Sequence, residues 1–218
     1  ATVTFTGEVQ TGEVAVNIVD AGPNYAAWNL IGNPYPSYLD ASAFLNHEVA
    51  TGVTNLSLLQ NASGIYGYDG DGTDGWEIIT LANVGSRLLA PGQGFFVAAD
   101  ANDVAAYDLV FAPSMRRTGN SDDFISGRAD NTLLFLKLKA STTDTNYKTA
   151  FYFNDNAGKA LDAGYDAVIM GGSAPDFALY SHLVEENTGL PVALQALGTT
   201  DLSNITIPIG VNAKAGVP

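Results

Sequence analysis

The chain has 218 residues, no cysteine, and a formal charge of −14 from 9 basic and 23 acidic side chains. A charge of that sign repels phosphate backbones and anionic lipid, so neither nucleic acid nor a membrane surface is an expected partner. Without cysteine there is no disulfide frame, thiol chemistry or Cys-based zinc site.

Hydrophobic residues make up 46% and charged residues 15%, with 23 Gly and 9 Pro. That balance favours many short strands joined by tight turns, so the expectation is all-β. No apolar run approaches the ~20 residues that span a bilayer as a helix, so no membrane insertion is expected. Residues 1–115 carry one basic residue, Arg87, against twelve acidic ones, whereas residues 116–218 carry eight against eleven.

In chain order, Val3–Thr6 and Val14–Val19 have strand length and apolar character. Ala27–Ile31 is a third strand, leading into Asn33-Pro34-Tyr35-Pro36. Pro fixes φ near −65° and removes a donor, so this segment specifies a rigid corner. Asp40–Asn46 reads as a short helix with Asp40 capping free N–H groups. Ser63–Tyr68 and Trp76–Leu81 read as a long-loop hairpin, and Gly94–Ala98 and Tyr107–Phe111 as adjacent strands. Ser114–Asp130 has little apolar periodicity and marks a boundary. Beyond it, Leu133–Lys139, Thr149–Phe153, Tyr165–Met170, Phe177–Tyr180, Pro191–Leu197 and Ile205–Ile209 follow in a sandwich-like rhythm. The expected architecture is two tandem β-sandwich-like (jelly-roll or Ig-like) halves with only a short helix. The first covers 1–115, a crossover 116–130, and the second 131–218, with a last strand still to come.

Two constellations suggest binding. Asp69-Gly70-Asp71-Gly72-Thr73-Asp74-Gly75 sets carboxylates at i, i+2 and i+5 among turn-forming glycines, a pattern able to wrap calcium, with Glu77 as an additional ligand. Thr80 stands where an EF-hand needs its twelfth, acidic residue, and a solvated acidic turn explains the same residues. The second is aromatic. Tyr35, Tyr38, Tyr68 and Trp76 lie in or beside turns and are expected to be exposed, as the stacking faces of a carbohydrate site, while Trp28 heads an apolar strand and reads as core.

Catalytic signatures are weak. His47 beside Glu48 lies in a helix-to-loop segment, His182 has no partner at a recognisable motif, and Gly92-Gln93-Gly94 is too short to cradle phosphate. No Gly-x-Ser-x-Gly elbow is present. No catalytic residue is assigned.

The segments Trp28–Ser37 and Ala90–Val97 occur in an ordered series. Phe5-Thr6-Gly7 precedes them, and Phe111–Arg116, Asn131-Thr132-Leu133, Gly164–Ala167, Leu179-Tyr180-Ser181 and Ile207–Gly210 follow. The series resembles the β-rich module of secreted multidomain Bacteroidetes surface proteins, substrates of the type IX secretion system. The resemblance implies an extracellular, cell-surface home and a non-catalytic structural or adhesive role in a surface protein or filament. The expected partners are other domains or copies of that protein. The alternative is a carbohydrate-binding module of a secreted polysaccharide-degrading enzyme, with extracellular polysaccharide as partner.

Overall fold

The computed structural model describes residues 6–21, 25–68, 76–119, 125–126, 134–142 and 146–213. The strands are β1 (Val14–Val16), β2 (Trp28–Gly32), β3 (Tyr38–Asp40), β4 (Glu48–Ala50), β5 (Val53–Thr54), β6 (Ile65–Tyr68), β7 (Trp76–Ile79), β8 (Leu88–Leu89) and β9 (Gly94–Ala98). They continue as β10 (Leu109–Phe111), β11 (Arg116–Arg117), β12 (Ile125–Ser126), β13 (Leu134–Ser141), β14 (Asn146–Phe153), β15 (Ala167–Val168), β16 (Ala178–Ser181), β17 (Val192–Leu197) and β18 (Ile209–Asn212). The α-helix among the described residues is α1 (Ala41–Leu45), so the all-β expectation holds. It forms where the sequence predicts, with the Asp40 carboxylate accepting from Ala43 N at 3.0 Å.

Three sheets dominate. One has the order β2-β9-β6-β7, the second β11-β3-β8-β12, and the third β13-β14-β17-β16-β18 with β15 also paired to β17. The β6–β7 hairpin forms as expected, Tyr68 opposite Trp76. Two expectations are corrected. Gly94–Ala98 and Leu109–Phe111 are not neighbours: β9 pairs with β2 and β6, while β10 pairs with β1, Val14 opposite Phe111. The strand expected at 205–209 begins at Ile209 and runs to Asn212, pairing with β16. Within the stretch expected as a crossover, Arg116–Arg117 pairs with β3 and Ile125–Ser126 with β8. Val3–Thr6 lies almost wholly outside the described residues.

The sheet β2-β9-β6-β7 is covered on one face and in part on the other, which explains why Phe95-Phe96-Val97-Ala98 is apolar without alternation. One face sends Ile31, Phe95, Val97, Ile65 and Ile79 into the main core with Leu39, Leu89, Leu109, Phe111 and Phe44. There Phe44 stacks on Phe111 with ring centroids 4.9 Å apart. The other face meets the third sheet: Tyr66, with Trp28, Ile78 and Phe96 around it, packs against Ala150, Tyr152, Leu194 and Ala196.

The two segments that stand out in the sequence are joined. β2 and β9 pair from Trp28 opposite Ala98 to Gly32 opposite Gly94, and Asn33 N donates to Gln93 O at 3.0 Å. Buried Asn33 then locks the corner. Its Nδ2 donates to the carbonyls of Ser37 (2.8 Å) and Ala90 (3.0 Å), with Leu89 O at 3.3 Å, and its Oδ1 accepts from Tyr35 N at 3.0 Å.

A buried carboxylate anchors the 158–166 loop to β17. Asp166 is fully buried and accepts from Asp162 N and Ala196 N, both at 2.7 Å. Burial pushes its carboxyl up to about 7, aided by the nearby charge of Asp162 and opposed by the two N–H donors. A folded-state value raised above the unfolded one means a contribution fully present below about pH 4 and lost as pH rises through about 7. The stability of the Asp166→Asn variant relative to wild type is therefore expected to rise between pH 4.5 and 8, by up to about 4 kcal/mol. Urea unfolding of both proteins across that range checks it, and a pH-independent difference would refute it.

Candidate functional site

The register of the first sheet assembles an aromatic face. Leu30 opposes Phe96, Tyr66 opposes both Phe96 and Ile78, and Tyr68 opposes Trp76, so these side chains share one side with Trp28. The rings interlock edge to face: Trp28 and Tyr66 are 4.7 Å apart by centroids, Tyr68 and Trp76 5.4 Å, Trp76 and Phe96 5.7 Å. Such pairs hold aromatic rings in defined orientations beyond the effect of burial alone.

The third sheet covers only part of this face. Between them lies a cleft of about 580 Å³, lined by Trp28, Tyr66, Trp76 and Phe96 on one side and Tyr147, Ala150, Tyr152 and Leu194 on the other. That size lies in the range of about 300–1,000 Å³ found for small-molecule sites. Tyr66 closes the floor, fully buried, its hydroxyl donating to Val168 O at 2.8 Å. Trp76 stands at the mouth, 39% exposed, with Tyr68 beside it at 54%.

Tyr25 flanks the mouth in the left-handed region, at φ 52°, a conformation uncommon outside glycine. Its ring lies over Gly171, where an added Cβ would come within 2.5 Å of Tyr25 Cε1. Gly171 therefore provides the space that this ring occupies.

The rim is charged. Arg87, nearly buried, reaches Glu77 at 2.8 Å, and Lys148 reaches the other Glu77 oxygen at 3.0 Å. Burial works to raise the Glu77 carboxyl, but Arg87, then Lys148 and Lys137, outweigh it and hold it below the ordinary carboxylate value. Lys137 projects from β13 beside Phe135, whose ring stacks on Tyr152 at 5.7 Å. Asn146 and Ser173 complete a polar margin able to hydrogen-bond hydroxyl groups, while buried Asn83 accepts from Thr80 N and donates to Ile78 O.

The predicted site residues are distributed unevenly. Trp76 lines the cleft and Tyr68 packs against Trp76. Tyr38 is half-buried, its ring over Gly119. Tyr35 corrects the expectation of exposure: it is 1% exposed, its hydroxyl 2.7 Å from Phe111 O and 2.9 Å from Gly12 O. The rigid corner turns this ring inward, into the main core. Trp28, read as core, is half-buried and lines the cleft. Phe96, Tyr147, Tyr152 and Lys137 went unrecognised. The alternation Leu136-Lys137-Leu138-Lys139, which gives a strand one charged face, was the available signal for Lys137.

Of the proposed calcium ligands, Asp69, Asp71 and Asp74 lie outside the described residues. The fourth, Glu77, is engaged by Arg87 and Lys148. Among the described residues, no group of three or more His, Asp or Glu side chains is placed to hold a metal ion. Glu77 is also the single carboxylate among the described lining residues, whereas glycosidic cleavage characteristically uses two.

Fold and cleft together define an all-β protein with an open, aromatic ligand-sized groove between two of its sheets. A family model described as a domain of unknown function, DUF8693, matches residues 1–216, and the chain belongs to that family. No curated protein and no solved structure matches it.

Proposed function

We propose that this chain is a non-catalytic adhesive module of an extracellular surface protein, and that it adheres by holding a saccharide in the aromatic cleft. The carrying observation is the cleft itself: rings fixed by edge-to-face packing, one of them half-exposed at the mouth, with amide and hydroxyl groups along the margin. Sugar rings present apolar C–H faces edged with hydroxyls, and an aromatic face beside hydrogen-bonding groups complements both. The single carboxylate among the described lining residues supports binding over cleavage. The surface location and export by a type IX pathway rest on the resemblance of the ordered segments, and the acidic, cysteine-free composition is compatible with them.

A panel of marine and plant polysaccharides in affinity electrophoresis tests this. At least one should retard the protein, and Trp76→Ala should weaken that binding by about tenfold or more, the scale of a central aromatic contact. Tyr35→Phe, which alters the core and not the cleft, should bind as wild type. Absence of binding across the panel would overturn the proposal.

A further inference from the structure

Among the described residues, the charge lining the cleft is opposite to that of the chain. Lys137 and Lys148 line it, Lys139 stands beside them, and buried Arg87 reaches Glu77, the one carboxylate among the described lining residues. The register makes the crowding specific. Lys139 stands directly opposite Lys148 across the β13–β14 pair, and Lys137 lies two residues along the same strand on the same side. Like charges facing each other across a sheet are destabilising. Lys148 is compensated by Glu77, whose carboxyl also feels Lys137 at longer range, but Lys137 and Lys139 are exposed and form no ion pair with a carboxylate among the described residues. An anion at the rim would gain from this arrangement.

We infer that the ligand of the cleft is an acidic saccharide, one bearing carboxylate or sulfate, whose ring stacks at Trp76 while its anionic group meets Lys137 and Lys139. The inference rests on the saccharide-binding reading of the cleft and specifies its ligand class. Lysine suits the task as a mobile point charge that accepts either anion, where a fixed guanidinium fork would favour planar, bidentate partners. The cationic rim acts within a Debye length, about 8 Å at physiological ionic strength, so acidic groups beyond that distance are largely screened there.

The test is titration calorimetry with three probes of matched length: an oligogalacturonate, a sulfated galactan oligosaccharide and a neutral β-glucan oligosaccharide. At least one acidic probe is expected to bind about tenfold or more tightly than the neutral one at 50 mM salt, and to weaken steeply at about 500 mM. Which acidic probe prevails assigns carboxylate or sulfate. The double substitution Lys137→Met with Lys139→Met keeps the apolar stems and removes no observed ion pair. It should abolish the preference, whereas arginine at both positions should preserve it. Equal binding of acidic and neutral probes, insensitive to the lysine substitutions but lost in Trp76→Ala, would overturn this inference and leave the cleft as a saccharide site. Failure of all three probes, together with the polysaccharide panel, would overturn both.

Discussion

Substituting Glu77 by alanine is expected to destabilise the protein by about 3–5 kcal/mol, the cost of leaving a buried charge without its partner. The charge in question is Arg87, whose side chain is 8% exposed and whose Nη1 lies 2.8 Å from Glu77. Loss of the carboxylate also removes the 3.0 Å contact to Lys148, leaving two cations with no anion between them. Joint replacement by Glu77→Leu and Arg87→Met should recover much of the loss, because apolar side chains of similar volume carry no desolvation cost. Acid should reproduce part of the effect in wild type. Since the folded-state carboxyl titrates below its ordinary value, its contribution is present above the unfolded value and lost as pH falls through the folded one. Urea denaturation of the two single variants and the double variant measures the coupling, and an alanine cost below about 1 kcal/mol would show that the pair is not structurally important.

The Asn33→Ala variant is expected to lose about 3–4 kcal/mol, from part-buried or buried backbone groups that lose a partner, at ~1–3 kcal/mol for each fully orphaned one. Ser37 O and Tyr35 N are bonded by this amide, while Ala90 O keeps its bond from Gln93 N at 3.1 Å. Asn33→Asp should be as damaging despite equal size. It retains an acceptor for Tyr35 N but directs a second oxygen, charged, at carbonyls that need a donor. Thermal melting of both variants decides the matter. An aspartate variant as stable as wild type would mean that shape, and not the amide N–H pair, holds the corner.

That corner marks what could be read from sequence and what could not. Asn33-Pro34-Tyr35-Pro36 was legible as rigid because Pro restricts its backbone whatever surrounds it. The helix cap at Asp40 and the β6–β7 hairpin were legible for the same reason: each depends on neighbours close in the chain. The direction of Tyr35 was not, since its hydroxyl answers a carbonyl at Phe111, far along the sequence. Pairing of Leu109–Phe111 with Val14–Val16 was hidden likewise, because strand alternation specifies a face but not a partner.

The candidate site was half legible. Trp76 and Tyr68 flank a Gly-rich stretch of sequence and were recognised as exposed. Trp28 and Phe96 sit in strands apolar on both sides, which look like buried core in any window. Only the incomplete cover by Ala150, Tyr152 and Leu194 turns that apolar face into a cleft, and this depends on how the third sheet is placed.

The pairing of β1 with β10 also sets a timetable. Val14 emerges from the ribosome long before Phe111, which it faces in the finished protein. At synthesis rates of about 5–20 residues per second, roughly 5–20 s separate the two. Throughout that interval Val14-Ala15-Val16 has no mate, and the main core cannot receive Leu109 or Phe111. The β1–β10 pair therefore closes only once about half of these 218 residues have been made, a long-range contact of the kind that slows folding.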